Sequence, residues 1–261
     1  MGDGLRNIIF IPNIDLGNDR SASYHYSVDS WKVWAENNDC ELLVWEDLLY
    51  PVEYMKITWQ RYYLFDILKE NNIEYDQILM VDADTIVHPE CPNFFEETDG
   101  KYCGVMNNGD YEWVIRSIRG FGDELFDGMR IPIPNYINGG FQIVNKKHKK
   151  FFDSMKDYYS KNSSLIVDTI EKLKTATDQT ILNFMLVKNK VDVKILSDCY
   201  NLVDLYRKNL IVLDEKIQFW MNDELYFLKA GFVYHFNAIP PNPMNRDASY
   251  WMKRTYKELY K

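Results

Sequence analysis

Tyr75-Asp76-Gln77-Ile78-Leu79-Met80-Val81-Asp82-Ala83-Asp84-Thr85 is the stretch on which the fold is decided. An apolar run bounded by turn-formers reads as a buried strand. One that ends in acids delivers charge to the carboxyl edge of an α/β sheet, where ligands bind. Two acids one residue apart on an extended chain point the same way, because side-chain direction alternates with period two. Asp82 and Asp84, so held, repel each other unless a cation lies between them. Hard oxygen ligands favour Mg²⁺ or Mn²⁺ there.

Outward from that strand, Ile8–Pro12 reads as a first strand, residues 21–37 as a helix and 41–46 as a second strand. Residues 56–70 read as a helix, and 101–107 as another strand. Strands alternating with helices imply a mostly parallel sheet covered on both faces. From residue 108 to 136 the pattern breaks, with Gly109, Gly120, Gly122, Gly128, Pro132 and Pro134 reading as loops. A long irregular insertion in a compact domain is expected to border a site. Beyond it come a strand near 141–145, helices over about 147–160 and 178–188, short strands near 191–195 and 231–236, and a helix from about 246.

The chain has 261 residues, enough for a large α/β domain with a substantial core. Its net charge of −9 argues against a nucleic-acid partner, which calls for a basic face. It does not exclude an anionic small molecule seated by a metal and local cations; Arg246, Lys253, Arg254, Lys257 and Lys261 make the last stretch basic. Cys40, Cys91, Cys103 and Cys199 are scattered without a C-x-x-C pair, so a reduced, cytoplasmic setting is expected. The opening lacks a secretory apolar core, and no run reaches transmembrane length.

Four further places could carry chemistry. Ile57, Arg61, Leu64 and Leu68 share one helical stripe, so Arg61 faces inward, either as a structural ion pair or as a guanidinium aimed at the sheet edge. Asn138-Gly139-Gly140 reads alone as a tight turn; its other reading is a close approach of backbone to a ligand. Thr175 and Asp178 have capping-box spacing, while Asp178 and Gln179 together could grip sugar hydroxyls. His235 ends an apolar strand, where a neutral imidazole could complete a metal's coordination.

Taken in order, Arg61, Asp82-x-Asp84, Asn138-Gly139-Gly140, Asp178-Gln179, Tyr200-Asn201-Leu202 and His235-Phe236 resemble the retaining GT-A glycosyltransferases. The likeness is closest to glycogenin and the bacterial lipopolysaccharide galactosyl- and glucosyltransferases, and it covers roughly residues 7–240. Thr58-Trp59-Gln60-Arg61 is similar to the group's T-x-x-R element, and residues 178–183 match its D-Q-x-x-L/I-N. Asn138-Gly139-Gly140 stands where the group has Asn-Ser/Thr-Gly.

The resemblance implies a Rossmann-like GT-A fold over a single domain spanning 1–261, with a nucleotide-binding half to about 107 and a donor-sugar and acceptor half from about 108. It implies Mn²⁺ or Mg²⁺ on Asp82, Asp84 and His235, and catalytic roles for Arg61, Asp178 and Gln179. Donor contacts would come from Pro12, Asn13, Ile14, Arg61, Asp82, Ala83, Asp84, Asn138, Gly139, Gly140, Asp178 and Gln179. The donor would be a nucleotide diphosphate hexose, UDP-linked in preference, and the acceptor a glycan, lipid-linked sugar or protein.

Two segments depart from the group. The stretch Ile11-Pro12-Asn13-Ile14 is not its usual opening, and residues 237–246 replace its G-x-x-K-P-W, leaving Arg246 or Lys253 to meet the diphosphate. Two other readings compete. Asp82-Ala83-Asp84-Thr85 fits the D-x-D-x-T of haloacid-dehalogenase phosphatases, although two βα units precede it here and those enzymes carry it on their first strand. A catalytically silent carbohydrate- or nucleotide-sugar-binding module would keep the fold without turnover.

Overall fold

Period-two alternation sorts the strand residues between two cores. Ile8, Phe10, Ile78 and Met80 pack into one cluster, and Ile9, Ile11, Leu79 and Val81 into another on the opposite face. In this computed structural model, which describes residues 6–15, 17, 21–175, 178–211, 225–240 and 246–261, the strands are β1 (Ile8–Pro12), β2 (Glu41–Trp45), β3 (Gln77–Val81), β4 (Thr85–Val87), β5 (Tyr102–Met106), β6 (Ile137–Asn145), β7 (Val193–Leu196) and β8 (Val233–His235). The helices are α1 (Tyr24–Asn37), α2 (Ile57–Gln60), α3 (Leu64–Glu70), α4 (Tyr111–Leu125), α5 (Lys149–Leu173), α6 (Asp178–Lys188) and α7 (Ala248–Leu259).

The main sheet runs β2-β1-β3-β6-β5-β7. β1 is parallel to both neighbours and β5 to β7, while β6 lies antiparallel between β3 and β5. The sheet is therefore mostly parallel and flanked by helices, as expected. Because β6 runs backwards, its first residues lie at the edge where β3 ends. A second, two-stranded sheet pairs β4 with β8 antiparallel, setting Thr85 opposite His235. A third apolar cluster, including Ile86, Tyr234, Phe236 and Trp251, packs α7 against that pair.

Several expectations need correction. Residues 108–136 are not irregular throughout: α4 fills fifteen of them. Asp110 caps α4 by accepting from the Trp113 N–H at 3.0 Å, and Val114, Ile118 and Phe121 form its buried stripe. Gly120 and Gly122 are not breakers but contact points; a Cβ on Gly120 would come within 2.3 Å of Leu173 Cδ1, and one on Gly122 within 2.3 Å of the Met129 carbonyl oxygen. The helix expected at 147–160 runs to Leu173, because Ile166, Thr169 and Ile170 carry the inward stripe past its polar middle. The helix at 56–70 is broken into α2 and α3 by a 3₁₀ turn at Arg61–Tyr63. Asn138-Gly139-Gly140 is no turn, since all three lie inside β6, buried.

Gly122→Ala gains about 1 kcal/mol of helix propensity but forces backbone apart, so a net loss of ~1–2 kcal/mol is expected in urea unfolding. His148 supplies a second check. Its Nδ1 accepts from the Asn145 N–H at 3.0 Å, and burial, then Lys147, pull its pKa from 6.5 down to about 4. The unfolded chain thus binds more protons across that window. Stability falls as pH drops from about 6.5 towards 4, by on the order of 2 kcal/mol, and His148→Gln should flatten this limb.

Candidate functional site

A cleft of about 510 Å³ opens where β1 and β3 end and β6 begins. β3 stops at Val81, and Ala83 and Asp84 form a turn before β4 begins at Thr85. Asp82 and Asp84 converge through that turn, not through an extended chain as the period-two argument held. The Thr85 hydroxyl donates to the Asp82 carbonyl at 2.8 Å and accepts from the Trp31 indole N–H at 2.9 Å, which holds the turn closed. The β4–β8 register then delivers His235. Its Nε2 lies 3.1 Å from Asp84 Oδ1 and 3.7 Å from Asp82 Oδ2.

Asp82, Asp84 and His235 each offer a ligand atom within 4.8 Å of the others. Two carboxylates and an imidazole suit a divalent cation of the Mn²⁺ type. The surroundings fit as well: a Cβ on Gly140 would lie 2.4 Å from His235 Cε1 and 2.6 Å from Asp82 Oδ2, so the bare backbone there makes the space the donors occupy. Asp84 and His235 are buried, at 8% and 2% exposure, which raises the cost of leaving the Asp84 charge unbalanced.

Arg61 reaches the same edge. Its Nη2 lies 2.9 Å from Asp82 Oδ1, its Nε 3.8 Å from Asp178 Oδ2, and its Nη1 donates to the Gly139 carbonyl at 2.7 Å. Burial works against the guanidinium charge, but Asp82 and Asp178 more than compensate and keep its pKa above the ordinary arginine value. The Tyr62 hydroxyl donates to Asp178 Oδ2 at 3.0 Å; burial and that carboxylate push the phenol well up. Gln179 Oε1 accepts from the Gly139 N–H at 2.9 Å and from Asn138 Nδ2 at 3.1 Å.

Pro12, Ile14, Arg61, Ala83, both acids, residues 138–140, Asp178, Gln179 and His235 all line the cleft. Asn13, Arg246 and Lys253 are not among its lining residues. The Asn13 amide donates to Glu46 at 3.2 Å, the Arg246 guanidinium lies over the Tyr250 ring, and Lys253 is exposed on α7. Part of the lining was not anticipated. It carries Asn107, Asp110, Trp113, Asp204 and Arg207, with Arg207 3.0 Å from Asp204 and 3.6 Å from Asp110. Burial raises the Asp204 pKa, and Arg207 opposes that rise. Asn107 Oδ1 is buried without a hydrogen bond among the described residues. The signals were faint: an acid preceding a helical stripe at 110, and an acid–base pair three residues apart at 204 and 207.

The chain has the fold of a glycosyltransferase. It superposes on one involved in the glycosylation of the major capsid of PBCV-1 with a TM-score of 0.60, over 95% of this chain and 99% of that one, at 9% identity. Likeness also extends to the glycosyltransferase GlyE of Streptococcus pneumoniae TIGR4 (TM-score 0.45, 14% identity, 98% of this chain and 64% of that one). Mouse xyloside xylosyltransferase 1 gives a TM-score of 0.45 at 14% identity, over 90% and 99%. No protein-family profile and no curated sequence matches the chain.

Adjacent glycines give a paired test. A Cβ on Gly139 would meet Gln179 at an ordinary 3.4 Å, whereas one on Gly140 collides with His235 and Asp82. Gly140→Ala should weaken Mn²⁺ binding at least roughly tenfold and Gly139→Ala by less than about twofold, read by Mn²⁺ electron paramagnetic resonance titration.

Proposed function

We propose that this protein is a metal-dependent glycosyltransferase that moves a hexose from a nucleotide diphosphate sugar, UDP-linked in preference, to a carbohydrate-containing acceptor with retention of configuration. The observation that carries this reading is the convergence of Asp82, Asp84 and His235 in the main cleft of a glycosyltransferase fold. A divalent cation held there would offset the charge growing on the leaving diphosphate, which favours the transition state over the ground state.

The remaining roles follow from position. Pro12 and Ile14 offer an apolar wall to the nucleotide. Asp178 and Gln179, at the mouth of α6, orient the donor sugar, and Arg61 keeps Asp82 and Asp178 in place while lending its charge to that end. Arg246 and Lys253 lie off the lining, which weakens their assignment to the diphosphate. Asp110, Asp204 and Trp113, also in the lining, suit an acceptor's hydroxyls and ring face.

Retention is supported by what Asp178 is already doing. An inverting reaction needs a base at the acceptor; Asp178, 3% exposed and engaged by Tyr62 and Arg61, is held away from that role, which leaves Asp110 and Asp204 of the lining as the carboxylates inversion would have to use. In a retaining reaction a leaving phosphate oxygen takes the acceptor's proton. A phosphatase reading would need Asp82 as a nucleophile, but its oxygens lie against Arg61 and His235.

The test is nucleotide release from UDP- and GDP-hexoses with Mn²⁺ and with chelator. UDP release is expected with Mn²⁺, and Asp84→Ala should lower it by ~10²–10³-fold. Equal turnover in chelator would overturn the proposal.

A further inference from the structure

Which cation receives a donor's diphosphate is open once Arg246 and Lys253 fall outside the cleft lining. Among the described residues that line the cleft, Arg61 and Arg207 are the only arginines or lysines, set against five carboxylates. A diphosphate would bring further negative charge to that surface, so it calls for a guanidinium with donors to spare. Arg61 has none: it is 9% exposed, with Nη2 on Asp82, Nη1 on the Gly139 carbonyl and Nε facing Asp178.

Arg207 is placed otherwise. Its side chain is 41% exposed, and Nη1 donates to Asp204 Oδ1 at 3.0 Å. Its Nε lies 3.6 Å from Asp110 Oδ2, too far for a hydrogen bond, and Nη2 makes none among the described residues. We propose that Arg207 is the residue that binds the donor's diphosphate, offering its unused guanidinium edge to phosphate oxygens.

Asp204 acts as the anchor of this arrangement. It is 3% exposed, its N–H donates to Asn237 Oδ1 at 2.9 Å, and its Oδ1 accepts from Asn237 Nδ2 at 3.4 Å. A Cβ on Gly109 would lie 2.0 Å from Asp204 Oδ2, so the carboxylate sits against bare backbone. Asn237 follows His235 by two residues, so Asp204 ties the guanidinium to the end of β8 and fixes its direction. The sheet order then says which phosphate it meets. Pro12 and Ile14 lie at the β1 side of the acids, whereas Asp110 follows β5, beyond β6. Arg207, beside Asp110, therefore belongs to the sugar-bearing end of a donor, at the β-phosphate. When the anomeric C–O bond breaks, its electron pair stays on an oxygen of that phosphate, where a guanidinium stabilises it.

The inference rests on the glycosyltransferase reading above, and titration calorimetry with UDP and UMP in Mn²⁺ separates the two, with GDP and GMP as a second pair. Arg207→Gln should weaken diphosphate binding by roughly 10- to 100-fold and monophosphate binding by less than about threefold. Arg207→Lys keeps the charge but loses the fork, so its loss should fall between wild type and the glutamine variant. An arginine that only braces Asp204 and Asp110 would lower the melting temperature without separating diphosphate from monophosphate. Should Arg207→Gln fail to fold, the lysine variant makes the same comparison. A folded Arg207 variant that binds the diphosphate like the wild type, or loses both nucleotides equally, overturns the inference alone. A wild type that binds neither diphosphate overturns the donor reading, and the inference with it.

Discussion

A guanidinium buried to 9% exposure beside two carboxylates is the constraint on which this edge of the molecule depends. A charge in that position is tolerable only when its partners stay within reach, and removing one partner of such a group typically costs about 3–5 kcal/mol. Arg61 therefore locks together segments far apart in sequence: the 3₁₀ turn between α2 and α3, the turn after β3, the start of β6 and the mouth of α6. Asp82 faces Arg61 with one oxygen and His235 with the other. The same carboxylate thus belongs to the structural ion pair and to the candidate metal site. The two readings of this arginine left open by its helical stripe are not alternatives; pairing with both acids is how it comes to line the cleft.

The imidazole arrives by a separate route. β4 is only three residues long and would be a weak strand alone. It holds because β8 pairs with it and because Ile86 and Tyr234 pack with Trp251 of α7. The far end of the chain thereby braces a turn formed more than 160 positions earlier, judging from Asp84 and Trp251. Thr85 connects the two halves. Its backbone pairs with His235, and its hydroxyl closes the acid turn against the Trp31 indole.

Local pattern carried much of this architecture. β1, β3 and α6 run where the sequence pattern puts them, all three matching at both ends, although the Thr175 hydroxyl expected to cap α6 makes no hydrogen bond among the described residues. The site was legible as a set of dispersed residues, because acids, an inward arginine and a histidine at a strand's end are each unusual where they stand. Where reading failed, the cause was a contact from a distance. Gly120 and Gly122 look like breakers until Leu173 and the Met129 carbonyl are seen to need the room. Asp82 and Asp84 meet through a turn whose closure depends on Trp31. Arg207 meets Asp110, nearly a hundred positions earlier, and Asp204 is held beside it by Arg207 and by Asn237 from further along the chain.

The three residues 138–140 show how backbone and side chain divide the work. In the glycosyltransferase group that the sequence resembles, the middle position is Ser or Thr, and here it is Gly139. A Cβ there would find ordinary contact distance, so the departure leaves the wall intact; what position 139 supplies is its N–H to Gln179 and its carbonyl to Arg61. Those groups are present whatever the side chain. Position 140 differs, because its missing Cβ is the space in which an imidazole and a carboxylate approach each other. Asn138 alone contributes through its side chain, accepting from the Gly140 N–H and from Asn201 at once. A strand buried along its whole length cannot leave peptide N–H groups unpaired. Directing two of them at side-chain amides therefore satisfies the fold and orients the site in one arrangement.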